Sequence, residues 1–163
     1  MPAKPAEAFD LAAGLLTAYA TNDRINAYLL DNLSDECWRA TPPGGKGRTI
    51  AEIIAHIHNV RLMWLKSMGA MEDAPAKLEG DTFTRAEAGK ALSASRVVME
   101  EVLRKSIASD GRVKGFKPDV ASFFAYLVAH DAHHRGQISL LARQLGHALP
   151  KSATFGMWEW ATR

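Results

Sequence analysis

Apolar residues recur every three or four positions in four segments of the chain, a spacing that predicts four amphipathic helices. The first segment runs from about Glu7 to Leu33, with Leu11, Leu15, Leu16, Tyr19, Ile25, Leu29 and Leu33 at helical intervals, and ends near Ser34. The loop Thr41-Pro42-Pro43-Gly44-Gly45-Lys46-Gly47 cannot continue a helix, and Thr49 with Glu52 three residues on has the form of a capping box. A second helix is therefore expected from about Ile50 to Met68, with Ile50, Ile53, Ile54, Ile57, Val60 or Arg61, Trp64 and Met68 as its core stripe and Gly69 at its end. After a polar connection with Pro75 and Gly80, Thr84 and Glu87 repeat the capping signal. They open a third helix, about Arg85 to Ile107, whose apolar positions include Ala88, Leu92, Val98, Val102 and Leu103, and Asp110-Gly111 marks its exit. The fourth helix is expected from about Asp119 to Leu145, with Val120, Leu127, His134 and Leu141 at seven-residue intervals and Gly146 as its C-cap.

With no β-hairpin signal, this pattern predicts an all-α fold, an antiparallel four-helix bundle forming a single domain over residues 1–163. The connections before the third and fourth helices, about a dozen residues or more each, leave room for a long crossover. A short C-terminal tail, Phe155-Gly156-Met157-Trp158-Glu159-Trp160, is too aromatic to be expected in solvent.

Composition narrows the function. The chain is 47% hydrophobic and 23% charged, as expected of a domain with its own core, and its formal charge is +2. The basic residues are scattered, so a nucleic-acid footprint is disfavoured. Cys37 is the single cysteine, which excludes an intramolecular disulfide and any thiolate cluster, fits a reducing compartment, and leaves His, Asp and Glu as the available metal ligands. Glu7 and Asp10 interrupt what would be the apolar region of a signal peptide, and no segment approaches eighteen uninterrupted apolar residues, so a cytoplasmic, membrane-free protein is expected.

The candidate chemistry lies in the histidines. His130 and His134 are four apart, one above the other on a helix face, and His134 replaces a core residue between Leu127 and Leu141. His133 falls on the flank with Tyr126 and Leu140. A buried histidine bonded to a carbonyl is the ordinary alternative for such a pair, but the second helix also carries histidine within an Ile-rich stripe. Three imidazoles meeting in an apolar core would cost several kcal/mol without three partners or an ion. His56 and His58 are two apart and cannot serve one site together, and both have apolar flanks, so periodicity leaves the choice between them open. His147, beyond Gly146, is expected to be exposed.

The segment Thr49-Ile50-Ala51-Glu52-Ile53-Ile54-Ala55-His56-Ile57, together with His130-x-x-x-His134-Arg135-Gly136-Gln137-Ile138, resembles the DinB/YfiT-like superfamily of metalloenzymes over essentially the whole chain. The resemblance implies that His56, His130 and His134 bind one divalent metal, and it implies a homodimer, for which the aromatic tail could supply apolar surface. Three protein ligands leave a coordination position open, the arrangement of catalytic zinc sites. The ligand type suits Zn or Ni equally. By the same resemblance, the expected activity is that of a thiol transferase or thiol-dependent isomerase, with a small-molecule substrate and a low-molecular-weight thiol. The alternative is a non-catalytic metal-binding or stress-response protein with a structural or sensory ion. Asp131 and Glu52 are nearby acids able to orient an imidazole, although each would ordinarily be a surface charge. By the resemblance Arg135 and Gln137 are expected to border the site, the ordinary alternative for each being a structural hydrogen bond or salt bridge.

Overall fold

The computed structural model describes residues 8–163, and among them all regular structure is helical apart from one isolated bridge between Val113 and Phe116. Four long helices, α1 (Leu11–Asp31), α3 (Ile50–Met68), α4 (Arg85–Ile107) and α5 (Val120–Gln144), are joined by connections that hold the short helix α2 (Asp35–Trp38), and the short α6 (Lys151–Gly156) follows α5. Both expected capping boxes form: Thr49 and Thr84 accept the N3 amides, and Glu52 and Glu87 accept from the cap amides in return. Gly69 ends α3 in the left-handed conformation, at φ 77°, that a Cβ would disfavour.

The first helix differs from expectation at both ends. Asp10 caps α1 by accepting from the Ala13 amide at 3.0 Å, which leaves Leu11 exposed in the opening turn; the expected start at Glu7 lies outside the described residues. It stops at Asp31 because Ser34 caps α2 by accepting from the Glu36 amide. The tail also departs from a packed end. Met157 lies on the core, and Gly156 sits so close to Tyr28 that a Cβ would fall 2.6 Å from its hydroxyl, but one short helix has only one face to bury, and Phe155 and Trp158 stand in solvent.

α1 packs against α4 and α5, and α3 packs against the same two. The core divides into two apolar clusters. One contains Leu29, Leu33, Trp38, Ile50, Ile54, Ile57, Phe83, Leu92, Ile138 and Leu141; the other contains Leu16, Tyr19, Leu62, Leu65, Met99, Leu103, Phe123 and Leu127. The order in which each helix meets the clusters gives its direction: α1 and α5 run one way, α3 and α4 the other. The connection between α3 and α4 therefore has to return the length of a helix. It does so with Ala70 and Ala74 on the second cluster and Leu78 and Phe83 on the first, pinned midway by Asn59, whose side chain donates to the Leu78 carbonyl and accepts from its amide. No helix among the described residues is long and apolar enough to cross a membrane.

Between the clusters, each long helix contributes buried polar side chains: Asn22, Asp23 and Asn26 from α1, His58 and Arg61 from α3, Ser95 from α4, Asp131 and His134 from α5. The core stripe of α3 thus takes Arg61 and leaves Val60 half-buried.

Candidate metal centre

One side of this polar layer is made of histidine. His56 on α3 meets His130 and His134 on α5, with ring centroids 5.3 and 4.7 Å away, and one nitrogen from each ring lies within 4.8 Å of the others. The Nε2 atoms of His130 and His134 are 3.2 Å apart. Two imidazole nitrogens on one tetrahedral ion, each about 2.0–2.1 Å from it, stand roughly 3.3 Å apart, so this pair already has the spacing of co-ligands. Nitrogen donors alone, with no carboxylate among them, suit a transition metal better than Ca²⁺ or Mg²⁺.

Protonation agrees with that role. Burial, with Arg48 and the other two rings adding to it, lowers the pKa of His56 from 6.5 to about 4. Burial likewise lowers that of His134, against the opposing bond to Gln137, so both rings are neutral at neutral pH and have lone pairs to offer. The Gln137 Oε1 oxygen stands 2.7 Å from His134 Nδ1 and accepts its proton in the tautomer that turns the Nε2 lone pair toward His130. Gln137 is itself exposed.

Behind His130 is the buried carboxylate of Asp131, which contradicts its ordinary reading as a surface charge. Its Oδ1 lies 3.8 Å from His130 Nδ1, too far for a hydrogen bond but close enough to favour a proton on that nitrogen and leave Nε2 free. The other oxygen, Oδ2, accepts from Asn22 at 2.8 Å, Asn26 at 2.9 Å and Arg61 at 2.7 Å. Burial would raise the Asp131 pKa, but Arg61 and these bonds hold it well below the usual carboxylate range. Arg61 in turn donates to Asp23 at 2.8 Å and to the Leu92 carbonyl at 2.9 Å, and Arg135 donates to Asn26 at 2.7 Å. All four long helices are thereby tied to the carboxylate beside His130.

The remaining candidates lie elsewhere. His58 is fully buried, with Nδ1 3.1 Å from Ser95 Oγ and Nε2 2.9 Å from the Ala76 carbonyl, so both its nitrogens are occupied and it stays out of the cluster. His133 is exposed, and the half-buried His147 stands 3.3 Å from Ser34 Oγ. Glu52 is committed to the Thr49 amide at 2.8 Å. Trp64 packs edge-on against Phe116, Phe123 and Tyr126, and the Tyr126 ring continues to His130 at 5.9 Å.

Sequence reasoning already expects Asp131 as an acid near the site and Arg61 as an alternative core position of α3, but it does not single out Asn22, Asp23 and Asn26, although periodicity carries a signal for them. Leu127, Asp131, His134 and Ile138 fall on one face of α5, and Tyr19, Asn22, Asn26 and Leu29 on one face of α1. Polar residues inside apolar stripes on three helices were the available signal. Comparison with known families gives one finding: the model described as DinB family matches residues 9–162. Comparison with curated proteins gives no match, and comparison with solved structures gives none.

Proposed function

Since the chain belongs to the DinB family, we propose that it is a metal-dependent enzyme of the thiol transferase or thiol-dependent isomerase type, in which His56, His130 and His134 hold one divalent ion, Zn²⁺ or Ni²⁺. The observation that carries this reading is the convergence of three imidazole nitrogens from two helices within 4.8 Å. His56 and His130 are only partly buried, so the cluster meets solvent on one side, where a fourth ligand would enter. An ion held there would lower the pKa of a thiol and draw electron density from an electrophile. The protein's own residues set the stage: Gln137 fixes the tautomer of His134, and Asp131, kept ionised by Arg61, orients His130 and adds a negative charge behind it. The same reading takes the four long helices as the family's bundle, the protein as a cytoplasmic homodimer, and a small molecule with a low-molecular-weight thiol as the reactants.

Metal analysis after dialysis tests the site. The wild type should hold about one zinc or nickel per chain and His134→Ala close to none. If His134→Ala kept the wild-type content, the site assignment would fall. Turnover is tested with cysteine as thiol and monochlorobimane as electrophile. Activity should vanish with a chelator and return with Zn²⁺ or Ni²⁺; a folded, metal-loaded protein inert toward a panel of thiols and electrophiles would favour the non-catalytic ion instead.

A further inference from the structure

Arg48 precedes the cap of α3 and is exposed, and among the described residues its guanidinium has no hydrogen-bond or ion-pair partner. It lines a groove of about 370 Å³ together with Gln137, the residue bonded to His134. The rest of the wall is mixed: Ile53, Leu140 and Leu141 are apolar, and Gln144 adds a second amide. Ile53 stands one helical turn before His56 and Gln137 one turn after His134, so the groove lies beside the cluster along both helices.

That placement creates an imbalance that nothing among the described residues corrects. The cluster offers nitrogen donors only, so a divalent ion held there would keep its full charge, and Arg48 adds a positive charge to the groove beside it. Behind the ligands, Asp23 and Asp131 are already matched by Arg61, with Arg96 and Arg135 alongside. Glu52, one turn before His56, is turned back onto the Thr49 amide. The groove is therefore left positive at one end and greasy along its wall. A planar guanidinium with free donors is matched by a carboxylate, which accepts two parallel hydrogen bonds from it.

Resting on the metal reading above, we propose that Arg48 is the substrate-recognition residue of this centre, and that it takes the carboxylate of a small ligand whose apolar portion lies along Ile53, Leu140 and Leu141 toward the histidines. The carboxylate belongs to the thiol or to its reaction partner, and the test separates the two. Cobalt(II)-substituted protein is titrated with mercaptopropionate against mercaptoethanol, and with hexanoate against hexanol, while the visible spectrum of the metal is followed. In at least one pair the carboxylate member should bind roughly tenfold more tightly, a gap in keeping with one charge-assisted contact. A gap in the first pair assigns the carboxylate to the thiol, and a gap only in the second assigns it to the other reactant. Arg48→Gln should close the gap while holding as much cobalt as the wild type, and Arg48→Lys should keep part of it. A gap that persists in Arg48→Gln would mean that the metal alone attracts the carboxylate, and the inference would be overturned, as it would by equal binding within both pairs. Failure of the wild type to take up cobalt would bring down the metal reading and this inference together.

Discussion

The two apolar clusters and the polar layer between them are both buried, yet they constrain the protein in different ways. In the clusters, residues such as Ile54, Leu65 and Met99 gain stability simply by leaving water, about 1.5–3 kcal/mol each when fully buried, and the gain has little directional demand. The layer has the opposite character. Asp131 and Arg61 lose hydration on burial and recover it only through a fixed set of partners, Asn22, Asn26, Asp23 and the Leu92 carbonyl. A cluster asks for apolar volume alone, whereas the layer also asks for directed partners, which among the described residues it supplies to all but a few polar atoms such as Asn22 Oδ1 and Arg61 Nε. The directional region is also the one that backs the histidines, so it holds fixed the rings that the proposed site would use.

The contrast is broken most sharply at Asp131. Asp131→Ala leaves Arg61 buried with half of its charge partners, and should cost about 3–5 kcal/mol of stability. On the proposed metal reading it should also weaken binding of added Zn²⁺ roughly 10- to 100-fold through the loss of support for His130. Urea denaturation and competition with a chromophoric chelator read the two effects separately. Met99→Ala, in the second cluster, should cost about 2–5 kcal/mol by leaving a cavity but should leave zinc affinity unchanged. If both variants lost metal equally, the layer would have no special tie to the site.

The helices were legible in the sequence because their signals are local. Thr49 with Glu52, Thr84 with Glu87 and Asp119 each mark a start within one turn, and the structure places α3 and α4 where those signals put them. The histidine pair on α5 was legible for the same reason, since i and i+4 fix a common face. The choice between His56 and His58 was not, because it depends on Ser95 and on the carbonyl of Ala76, a loop atom brought in by the crossover between α3 and α4. The parallel course of those two helices is likewise non-local, visible in the chain only as an unusually long connection. Trp158 shows the reverse: its apolar character suggested burial, but no neighbour among the described residues covers it.

A smaller effect comes from pH. The folded chain holds His56 near a pKa of about 4 against an ordinary 6.5, so between these values the unfolded chain binds a proton that the folded chain refuses. The stability of the metal-free protein should therefore fall as pH drops through that window, and His56→Gln should reduce the slope without removing it, because burial lowers His58 and His134 as well. Denaturant midpoints at about pH 7 and about pH 4.5 measure this; an unchanged slope in His56→Gln would place the titration elsewhere.

The finest test lies at the border of the two regions. Tyr19 is fully buried and its ring belongs to the second cluster, but among the described residues its hydroxyl has no hydrogen-bond partner. Burial, with Arg61 opposing, raises its pKa, so the phenol stays protonated and its proton needs an acceptor. The Arg61 guanidinium carbon lies 5.9 Å from the ring centroid, which places the side chain against the polar layer without a direct bond to it. An unsatisfied buried hydroxyl costs about 1–3 kcal/mol, and Tyr19→Phe removes it while keeping the ring. The substitution should leave stability unchanged or raise it by up to about 1 kcal/mol, since the vacated oxygen volume offsets part of the gain. A loss larger than about 1 kcal/mol would show that the hydroxyl is bonded in solution and that the polar layer extends one residue further into the second cluster.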